Sequence, residues 1–508
     1  MFEGLTLLGD GIAFFMTPQS LFNVGWATLV GIIIGVLPGL TATMGVALLV
    51  TLTYPMPPDQ AILSLMCIYV GAIYGGSRTA ILLAIPGTPA SAATALDGHP
   101  LALAGKGGLA MGLATTSSAL GTLVGILFLA LLAPLLTEAA LNFGSYEFFW
   151  LALFGVVISG RLTAFDDPIK GYVAGILGLL VAMIGMEGLH GFRRFTFGVP
   201  ALGGGIDLIP AMVGAFGLAE ILVVMKRKVS ARIVDASDRV VPRMADVWKY
   251  RRTTVRSGII GTLVGIVPGV GEDIGAWGSY AAARRKSAES DRFGKGSLEG
   301  LIAAETGNSA AIPGSMIPTL TLALPGSAAA AVLIAAMYIH GIRPGPMLMV
   351  ENAPFLYKVV AMLVLATLAI TVLGLLLTRP LLRVMTVPRE RLMPVVYVLC
   401  VVGSFAIAQR MFDVYVMLVF GVVGFFLREM RYPMAPLVMG IILGTLLDVN
   451  LRRGLALSNG DLSPFFTRPV SAVICGLIVL SILFSIPVIN RRVTSLIFKT
   501  SAPKTGSG

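Results

Sequence analysis

The stretch Gly31-Ile-Ile-Ile-Gly35-Val-Leu-Pro38-Gly39-Leu40-Thr41 decides how this chain folds, and it occurs twice. The second copy reads Gly261-Thr-Leu-Val-Gly265-Ile-Val-Pro268-Gly269-Val270-Gly271. Each copy is an apolar segment that Pro-Gly interrupts. Proline removes a helix donor and glycine admits unusual backbone angles, so a helix unwinds there. In a bilayer, the freed amides and carbonyls must face protein or a water-filled cavity.

A second pair of Pro-Gly breaks follows at matching positions. The first half contains Tyr74-Gly-Gly-Ser77-Arg-Thr-Ala-Ile-Leu-Leu-Ala-Ile-Pro86-Gly87-Thr88, and the second contains Ile312-Pro-Gly-Ser315-Met-Ile-Pro-Thr-Leu-Thr-Leu-Ala-Leu-Pro325-Gly326-Ser327. These segments align with one inserted residue. Interrupted helices at corresponding positions of two halves are typical of secondary transporters. A single break is equally well explained as a kink between packed helices, but four breaks in a repeat favour one shared site.

Composition places the chain in a membrane. It has 508 residues, of which 56% are hydrophobic and 12% charged, and its mean hydropathy is +0.89. A soluble domain could not keep so much apolar surface from water, so the bilayer must be its solvent. The net charge of +11 is spread over junctions between apolar segments, which indicates positive-inside anchoring rather than a nucleic-acid partner. Cys67, Cys400 and Cys475 lie in apolar runs without metal-ligand spacing, which indicates buried thiols.

The predicted fold is an all-α polytopic membrane protein of about 12 spanning or partly spanning segments, in two inverted repeats with Pro-Gly re-entrant hairpins. The predicted segments are an interfacial N-terminal segment (1–19), membrane repeat 1 (20–225), a basic cytoplasmic connector (226–256), membrane repeat 2 (257–465), a terminal transmembrane helix (466–490) and a cytoplasmic tail (491–508).

The distribution of charge predicts how the repeats are oriented. Residues 1–77 contain no Lys or Arg, whereas both flanks of the second Pro-Gly stretch, 226–256 and 284–295, are basic. The positive-inside rule therefore places the flanks of the first break outside and those of the second in the cytoplasm. The two hairpins then enter from opposite faces. Two arginine pairs, at 193–194 and 452–453, fall outside under this topology, against the rule.

Polar side chains cluster beside the breaks, where helix N-termini attract anions and freed carbonyls suit Na⁺. The predicted substrate-binding residues are Pro38, Gly39, Thr41, Ser77, Arg78, Pro86, Gly87, Thr88, Pro325, Gly326 and Ser327. The predicted ion-binding residues are Gly269, Glu272, Asp273, Asn308, Ser309 and Ser315. Serine and threonine on membrane helices more often bond back to their own backbone, so their concentration at the breaks carries the prediction.

Charged residues within the apolar runs have two interpretations. Arg78 suits a two-pronged contact with a substrate carboxylate, and the alternative is an arginine that snorkels or pairs with a protein carboxylate. Glu272, Asp273 and Glu305 suit Na⁺ or a proton, or balance the charge of Arg78. No cofactor is predicted beyond a possible Na⁺ coupling ion.

Patterns of catalytic chemistry are missing from the sequence. It has three histidines, no His-Glu-x-x-His, no Gly-x-Ser-x-Gly and no Walker A sequence. A non-enzymatic transporter is therefore predicted, and uphill transport would require an ion gradient. From the residues alone, a passive anion channel and, with less support, an intramembrane enzyme stay open.

At these residues the sequence resembles the large membrane subunit of the tripartite tricarboxylate transporters, the TctA family. The matching stretches are Val36-Leu-Pro-Gly-Leu40, Ala72-Ile-Tyr-Gly-Gly-Ser77, Ile85-Pro-Gly-Thr88, Leu96-Asp-Gly-His-Pro100, Phe293-Gly-Lys-Gly-Ser-Leu-Glu-Gly300, Glu305-Thr-Gly-Asn308, Ile317-Pro-Thr-Leu-Thr-Leu322, Leu324-Pro-Gly-Ser327 and His340-Gly-Ile-Arg-Pro-Gly-Pro346. The sequence departs from the family pattern at Ser309, where a second Asn is frequent, and at Thr41-Ala42, where Gly-Pro is common.

The resemblance implies a multi-pass protein of the bacterial inner membrane that takes up organic acids by symport with Na⁺ or H⁺. It implies two partners, a small four-helix membrane subunit and a periplasmic solute-binding protein that delivers the carboxylate substrate. Citrate is the family's best-known substrate, and its members serve many organic acids.

Overall fold

The computed structural model describes residues 2–37, 40–164, 167–226, 238–385, 389–406 and 408–485. The predicted site residues Pro38 and Gly39 and the predicted tail 491–508 lie outside this described part. Within it the chain is built from helices, and one pair of two-residue antiparallel strands, Gly185–Met186 and Arg193–Arg194, closes a loop.

The helices are numbered in chain order. Before residue 227 they are α1 (Phe2–Phe15), α2 (Pro18–Val36), α3 (Ala42–Thr53), α4 (Pro58–Leu83), α5 (Ser91–Leu101), α6 (Gly107–Ala140), α7 (Ser145–Thr163), α8 (Pro168–Ala182), α9 (Leu208–Met212) and α10 (Ala219–Lys226). After residue 237 they are α11 (Met244–Lys249), α12 (Arg251–Ile266), α13 (Gly271–Lys286), α14 (Leu298–Leu322), α15 (Ala328–Ile339), α16 (Pro346–Glu351), α17 (Pro354–Leu376), α18 (Thr378–Met385), α19 (Arg389–Ala406), α20 (Met411–Glu429), α21 (Met434–Leu457), α22 (Ser463–Thr467) and α23 (Pro469–Ser485). A π-helical turn, Val213–Leu218, joins α9 to α10.

The helices confirm an all-α polytopic membrane protein. The described part of the chain contains eight helices that are long and apolar enough to cross a membrane, and six apolar helices that are shorter. Helix α12 begins at Arg251, so the last residues of the predicted basic connector are helical. The predicted terminal helix corresponds to α23, which the structure describes as far as Ser485.

The two halves repeat the same close helix packing. A Cβ added to Gly35 on α2 would lie 2.1 Å from the Ala72 carbonyl oxygen on α4, and one added to Gly265 on α12 would lie 2.5 Å from the Ala311 carbonyl oxygen on α14. Only glycine lets two helix backbones approach so closely in a membrane. Three further close contacts correspond between the halves. Gly31 approaches Ile68 as Gly261 approaches Gly307, Gly75 approaches Ile32 as Gly314 approaches Thr262, and Gly87 approaches Gly76 as Gly326 approaches Ser315.

The second break of each half also begins in the same way. Helix α4 ends at Ala84 (φ 53°) and α14 ends at Ala323 (φ 56°), both in the left-handed region. The N–H of each bonds a carbonyl five residues earlier, that of Thr79 or of Pro318. From α4 to the break that follows it, the numbers of corresponding residues in the two halves differ by 239, as for Ala84 and Ala323. For α2 and α12 they differ by 230, as for Gly35 and Gly265. The inserted residue predicted from the sequence is not needed, and Ser315 takes the place of Gly76 rather than of Ser77.

A carboxylate of the first half accepts hydrogen bonds from a loop of the second half. Asp97 on α5 accepts hydrogen bonds from the backbone N–H groups of Gly294, Gly296 and Ser297, at 2.8–2.9 Å, and from the hydroxyl of Tyr280 at 2.9 Å. Two of the stretches that carry the family resemblance therefore meet here. Their role in this structure is to join the halves.

One arginine of each pair that falls outside in the predicted topology, Arg194 and Arg452, has local carboxylate partners. Arg194 makes a two-pronged contact with Asp448, at 3.0 and 2.9 Å, and Arg452 lies 3.1 Å from Asp448 and 3.6 Å from Glu187. The backbone N–H groups of Leu189 and His190 also bond Glu187. Burial acts to raise the pKa of Glu187, but these N–H groups and Arg452 lower it overall. These arginines are thus structural charges of a compact cluster.

Candidate functional site

A cavity of about 540 Å³ lies where the breaks of the two halves meet. The first half contributes Thr41, Ala42, Thr43, Ile73, Pro86, Gly87, Thr88, Pro89 and Ala92. The second half contributes Gly269, Val270, Glu272, Asp273, Ser327 and Ala328. A third wall consists of Thr163, Phe216, Glu220, Arg428, Pro433, Met434 and Ala435. Both halves therefore share one site, and α7, α10, α20 and α21 complete it.

Five of the described helices begin at this cavity: α3, α5, α13, α15 and α21. Thr41 caps α3 by accepting a hydrogen bond from the Met44 N–H at 3.3 Å, and Ser327 caps α15 by accepting one from the Ala330 N–H at 3.1 Å. The first N–H groups of a helix lack partners within it, and its peptide dipoles add partial positive charge. Five such ends give the cavity the properties of an anion site.

Two neighbouring carboxylates, Glu272 and Asp273, lie in the first turn of α13 and line the cavity. Glu272 accepts a hydrogen bond from the Tyr69 hydroxyl at 3.0 Å. Asp273 accepts one from the backbone N–H of Ala90 at 3.1 Å. Both donors belong to the first half, so the carboxylates of the second half are held across the boundary.

Tyr69 on α4 connects several polar groups of the second half. Besides Glu272, its hydroxyl lies 2.8 Å from the Ser327 Oγ and 3.4 Å from the Ser315 Oγ. Tyr69 is fully buried. Sequence reasoning missed it, although a tyrosine in an apolar helix must find a partner for its hydroxyl, and that requirement was the available signal.

Arg428, at the end of α20, is the cation that lines the cavity among the described residues. It forms an ion pair with Glu220 on α10, and the two side chains are 20% and 14% exposed. Sequence reasoning missed this pair as well. Glu220 lies within an apolar run and Arg428 ends one, and a charged residue at such a place is a functional candidate by default.

Arg78, predicted as a substrate clamp, does not line this cavity. Its guanidinium group is buried, donates to the Thr115 hydroxyl at 2.5 Å and lies 4.5 Å from the centre of the Tyr74 ring. Ser77 is likewise not part of the lining, and both residues lie near Glu305. For the alternative interpretation, an arginine balanced by a protein carboxylate, the nearby carboxylate is that of Glu305.

The predicted ion-binding residues divide into two groups. Gly269, Glu272 and Asp273 line the cavity, whereas Asn308, Ser309 and Ser315 are buried on α14 behind it. Neither the oxygen nor the nitrogen of the Asn308 side chain has a hydrogen-bond partner in the described part of the chain. With the difference of 239 in residue number that relates α4 to α14, Asn308 corresponds to Tyr69. An unpartnered buried amide is costly, and its oxygen suits a hard cation such as Na⁺.

Pro325 and Gly326 support the cavity without lining it. The Gly269 N–H donates to the Pro325 carbonyl at 3.0 Å, which holds the two breaks of the second half together. A Cβ on Gly326 would lie 2.5 Å from the Gly265 carbonyl oxygen, so this break also packs against α12. The predicted residues that line the cavity are thus Thr41, Pro86, Gly87, Thr88, Gly269, Glu272, Asp273 and Ser327.

A multi-pass protein whose matched halves meet in a polar cavity made of broken helices belongs, by architecture, to the class of transporters. Comparison with known proteins identifies the family. Residues 21–439 match the tripartite tricarboxylate transporter TctA family, and the chain belongs to that family. This confirms the resemblance found in the sequence, and the family is one of large membrane subunits of transporters.

Two relatives come from Agrobacterium vitis. One, described as an uncharacterized 52.8 kDa protein in the TAR-I ttuC' 3' region, is 35% identical over 481 residues, which cover 93% of this chain and 94% of the relative. The other, an uncharacterized protein in the TAR-II ttuC' 3' region, is 33% identical over 233 residues, 46% of this chain and 96% of the relative. No solved structure matches the chain significantly.

Proposed function

We propose that the cavity binds an organic acid, a tricarboxylate or a related carboxylate, and carries it across the membrane by alternating access. The observation that carries this proposal is the convergence of five helix N-termini from both halves and the third wall on one cavity. Carboxylate oxygens accept hydrogen bonds from such N–H groups, and the helix dipoles favour their charge. Arg428 of the third wall supplies a cation, and the hydroxyls of Thr41, Thr88 and Ser327 add donors.

Charge balance in the cavity supports symport with a cation. Glu272 and Asp273 share the cavity with the proposed anion, so three or more negative charges would meet in a small volume. Such a complex forms only when protons or Na⁺ neutralise part of that charge. The substrate and the cation would then bind together, which is the requirement for coupled uptake. The unpartnered Asn308 amide, buried on α14 outside the cavity lining, is a separate candidate ligand for Na⁺.

Membership of a tripartite transporter family favours an assembly of several subunits. A tripartite transporter needs two components besides this chain, and we propose that they are a small four-helix membrane subunit and a periplasmic solute-binding protein. We place the assembly in the bacterial inner membrane. The periplasmic protein would deliver the carboxylate to the cavity when it is open to the outside.

Uptake by the purified complex in proteoliposomes tests these proposals. Labelled citrate and a panel of other di- and tricarboxylates are added under an imposed Na⁺ gradient, an imposed proton gradient, both, or neither. Saturable accumulation that requires one gradient is the expected result. Uptake that ignores both gradients would contradict the coupling, and non-saturable equilibration without the binding protein would indicate an anion channel instead.

A further inference from the structure

A groove separate from the transport cavity lies at the start of α12. It has a volume of about 660 Å³, and three arginines line it, Arg251, Arg252 and Arg256, together with Trp248 of the short helix α11. The guanidinium group of Arg251 lies 5.2 Å from the centre of the Trp248 ring and donates to the Trp248 carbonyl at 3.2 Å. We call this feature the α12 groove.

The arginines of the α12 groove carry uncompensated charge. None of the three forms an ion pair with a carboxylate that the structure describes. The Nε of Arg256 is buried and lacks a hydrogen-bond partner within the described residues. A buried donor without a partner costs free energy, which an anionic ligand would recover.

Two carboxylates near these helices, Glu289 and Glu299, are engaged with other groups. Glu289 pairs with Lys249 and with Arg292, each at 3.1 Å, and hydrogen bonds from these two cations lower the pKa of Glu289. Glu299 accepts from the hydroxyls of Thr253 and Ser287, at 2.5 Å each. These neighbours therefore leave the arginines free for a ligand.

The other end of the α12 groove is apolar. Val255, Ile259 and Ile260 follow the arginines along one face of α12, and Val255 is 53% exposed. Trp248 is 68% exposed, and exposed tryptophan is typical of the level of lipid headgroups. A ligand of this groove needs an anionic head beside the arginines and an apolar chain beside the aliphatic residues.

We propose that the α12 groove binds an anionic phospholipid of the cytoplasmic leaflet. The lipid phosphate contacts Arg252 and Arg256, and an acyl chain lies along Val255, Ile259 and Ile260. Clusters of arginines at a membrane surface attract anionic lipids, and guanidinium groups bind phosphate in two-pronged fashion. Helix α12 ends just before the break at Gly269, which lines the transport cavity. A lipid bound to α12 would therefore stabilise the helix that leads to this part of the cavity.

Native mass spectrometry of the purified full-length chain tests this site. Delipidated protein is titrated with phosphatidylglycerol, with phosphatidylcholine of the same acyl chains, and with glycerol 3-phosphate. We expect phosphatidylglycerol to bind at least tenfold more tightly than phosphatidylcholine. The double variant Arg252→Gln/Arg256→Gln should bind phosphatidylglycerol roughly 25-fold more weakly, at about fivefold for each arginine near a membrane surface.

Matched variants keep the outcome decisive. Arg284→Gln/Arg285→Gln removes the same charge from exposed positions at the end of α13 and should leave lipid binding unchanged. The variant Arg252→Lys/Arg256→Lys retains both positive charges and should weaken binding of phosphatidylglycerol less than tenfold. It replaces the glutamine variant in the test if that variant does not fold. Equal loss in both glutamine variants, or equal binding of the two lipids, would overturn the site. Competition by glycerol 3-phosphate as strong as that by phosphatidylglycerol would overturn the lipid assignment.

Discussion

Arg428 is the residue on which substrate binding is expected to depend most. Replacing it by glutamine removes a charged donor from the cavity, which costs about 1.5–3 kcal/mol for a hydrogen bond to a charged group. We expect the substrate affinity to fall by about 10- to 100-fold. The measurement is the substrate concentration for half-maximal uptake in proteoliposomes. Arg410→Gln is the control, because Arg410 pairs with Asp207 and Asp413 away from the cavity.

A double variant separates two roles of Arg428. If it serves only to balance Glu220, then Glu220→Gln/Arg428→Gln should restore uptake, because both charges of the pair are removed together. If Arg428 contacts the carboxylate substrate, the double variant stays as weak as the single one. The proposed site predicts the second result, and full restoration would contradict it.

Tyr69 provides a second test at the residue scale. Tyr69→Phe removes the hydroxyl that links Glu272 to Ser327 and leaves a buried carboxylate short of one donor. We expect the initial uptake rate to fall at least tenfold at equal protein level, since an unsatisfied charged group costs about 1–3 kcal/mol or more. Tyr74→Phe is matched to it: Tyr74 lies on the same helix and bonds Thr115 outside the cavity. Equal losses in both variants would reduce Tyr69 to a packing role.

Sequence reasoning identified several of the cavity residues that lie beside a break, such as Thr41, Thr88 and Ser327. It did not indicate that Arg78 lies outside the lining, because every residue of α4 from Ala61 to Leu82 is buried and no polar face shows which side meets the cavity. It missed Arg428 because an arginine at the end of an apolar run resembles an ordinary interfacial anchor. The direction of a side chain depends on neighbours that lie far away in the sequence.

At the scale of elements, the glycine contacts between α2 and α4 determine how the first break is positioned. Gly35→Ala would place a methyl group 2.1 Å from the Ala72 carbonyl oxygen, which a rigid backbone cannot avoid. We expect a loss of about 2 kcal/mol in stability, as for overpacked cores. Thermal unfolding in detergent is the measurement. Gly25→Ala on the same helix is the control, because nothing lies within 4 Å of its added Cβ; a similar loss there would contradict the packing account.

The repeated breaks could be read from the sequence because Pro-Gly acts locally on a helix. The exact correspondence could not, since the alignment required an insertion that the matched backbone contacts of Ala72 and Ala311 do not need. Apart from Glu220 and Arg428, the third wall had no local signal. Its residues, such as Thr163 and Pro433, reach the cavity only through packing between distant helices.

At the scale of the whole molecule, the inverted arrangement of the halves is a prediction about the membrane. Two variants test it, Tyr54→Cys and Asp291→Cys. Tyr54 lies in the loop before α4, and Asp291 lies in the corresponding loop before α14. In a cysteine-free background, an impermeant maleimide should label the first from the periplasm and the second only after permeabilisation. Labelling of both from the same side would contradict the inversion. The unsubstituted background, which should remain unlabelled, is the control.

The proposed alternating access would also require the halves to separate and meet again. The hydrogen bonds from Tyr69 to Glu272 and from Ala90 to Asp273 cross between the halves at the cavity, so they must break when the cavity opens on that side. The ties from Asp97 to Gly294 and Ser297 also cross between the halves but lie outside the cavity lining. Substrate and cation can thus influence the first set directly by changing the charge on the carboxylates.

The central claim is that the breaks of both halves form one carboxylate site, and substrate protection of introduced cysteines tests it most directly. Ala92→Cys and Ala328→Cys place a thiol on the cavity wall from the first and the second half. Both should react with a small anionic thiosulfonate. Any member of a panel of di- and tricarboxylates led by citrate that protects one should protect the other at the same half-maximal concentration. Protection of only one position, or half-maximal concentrations that differ more than about tenfold, corresponding to 1.4 kcal/mol, would contradict a shared site.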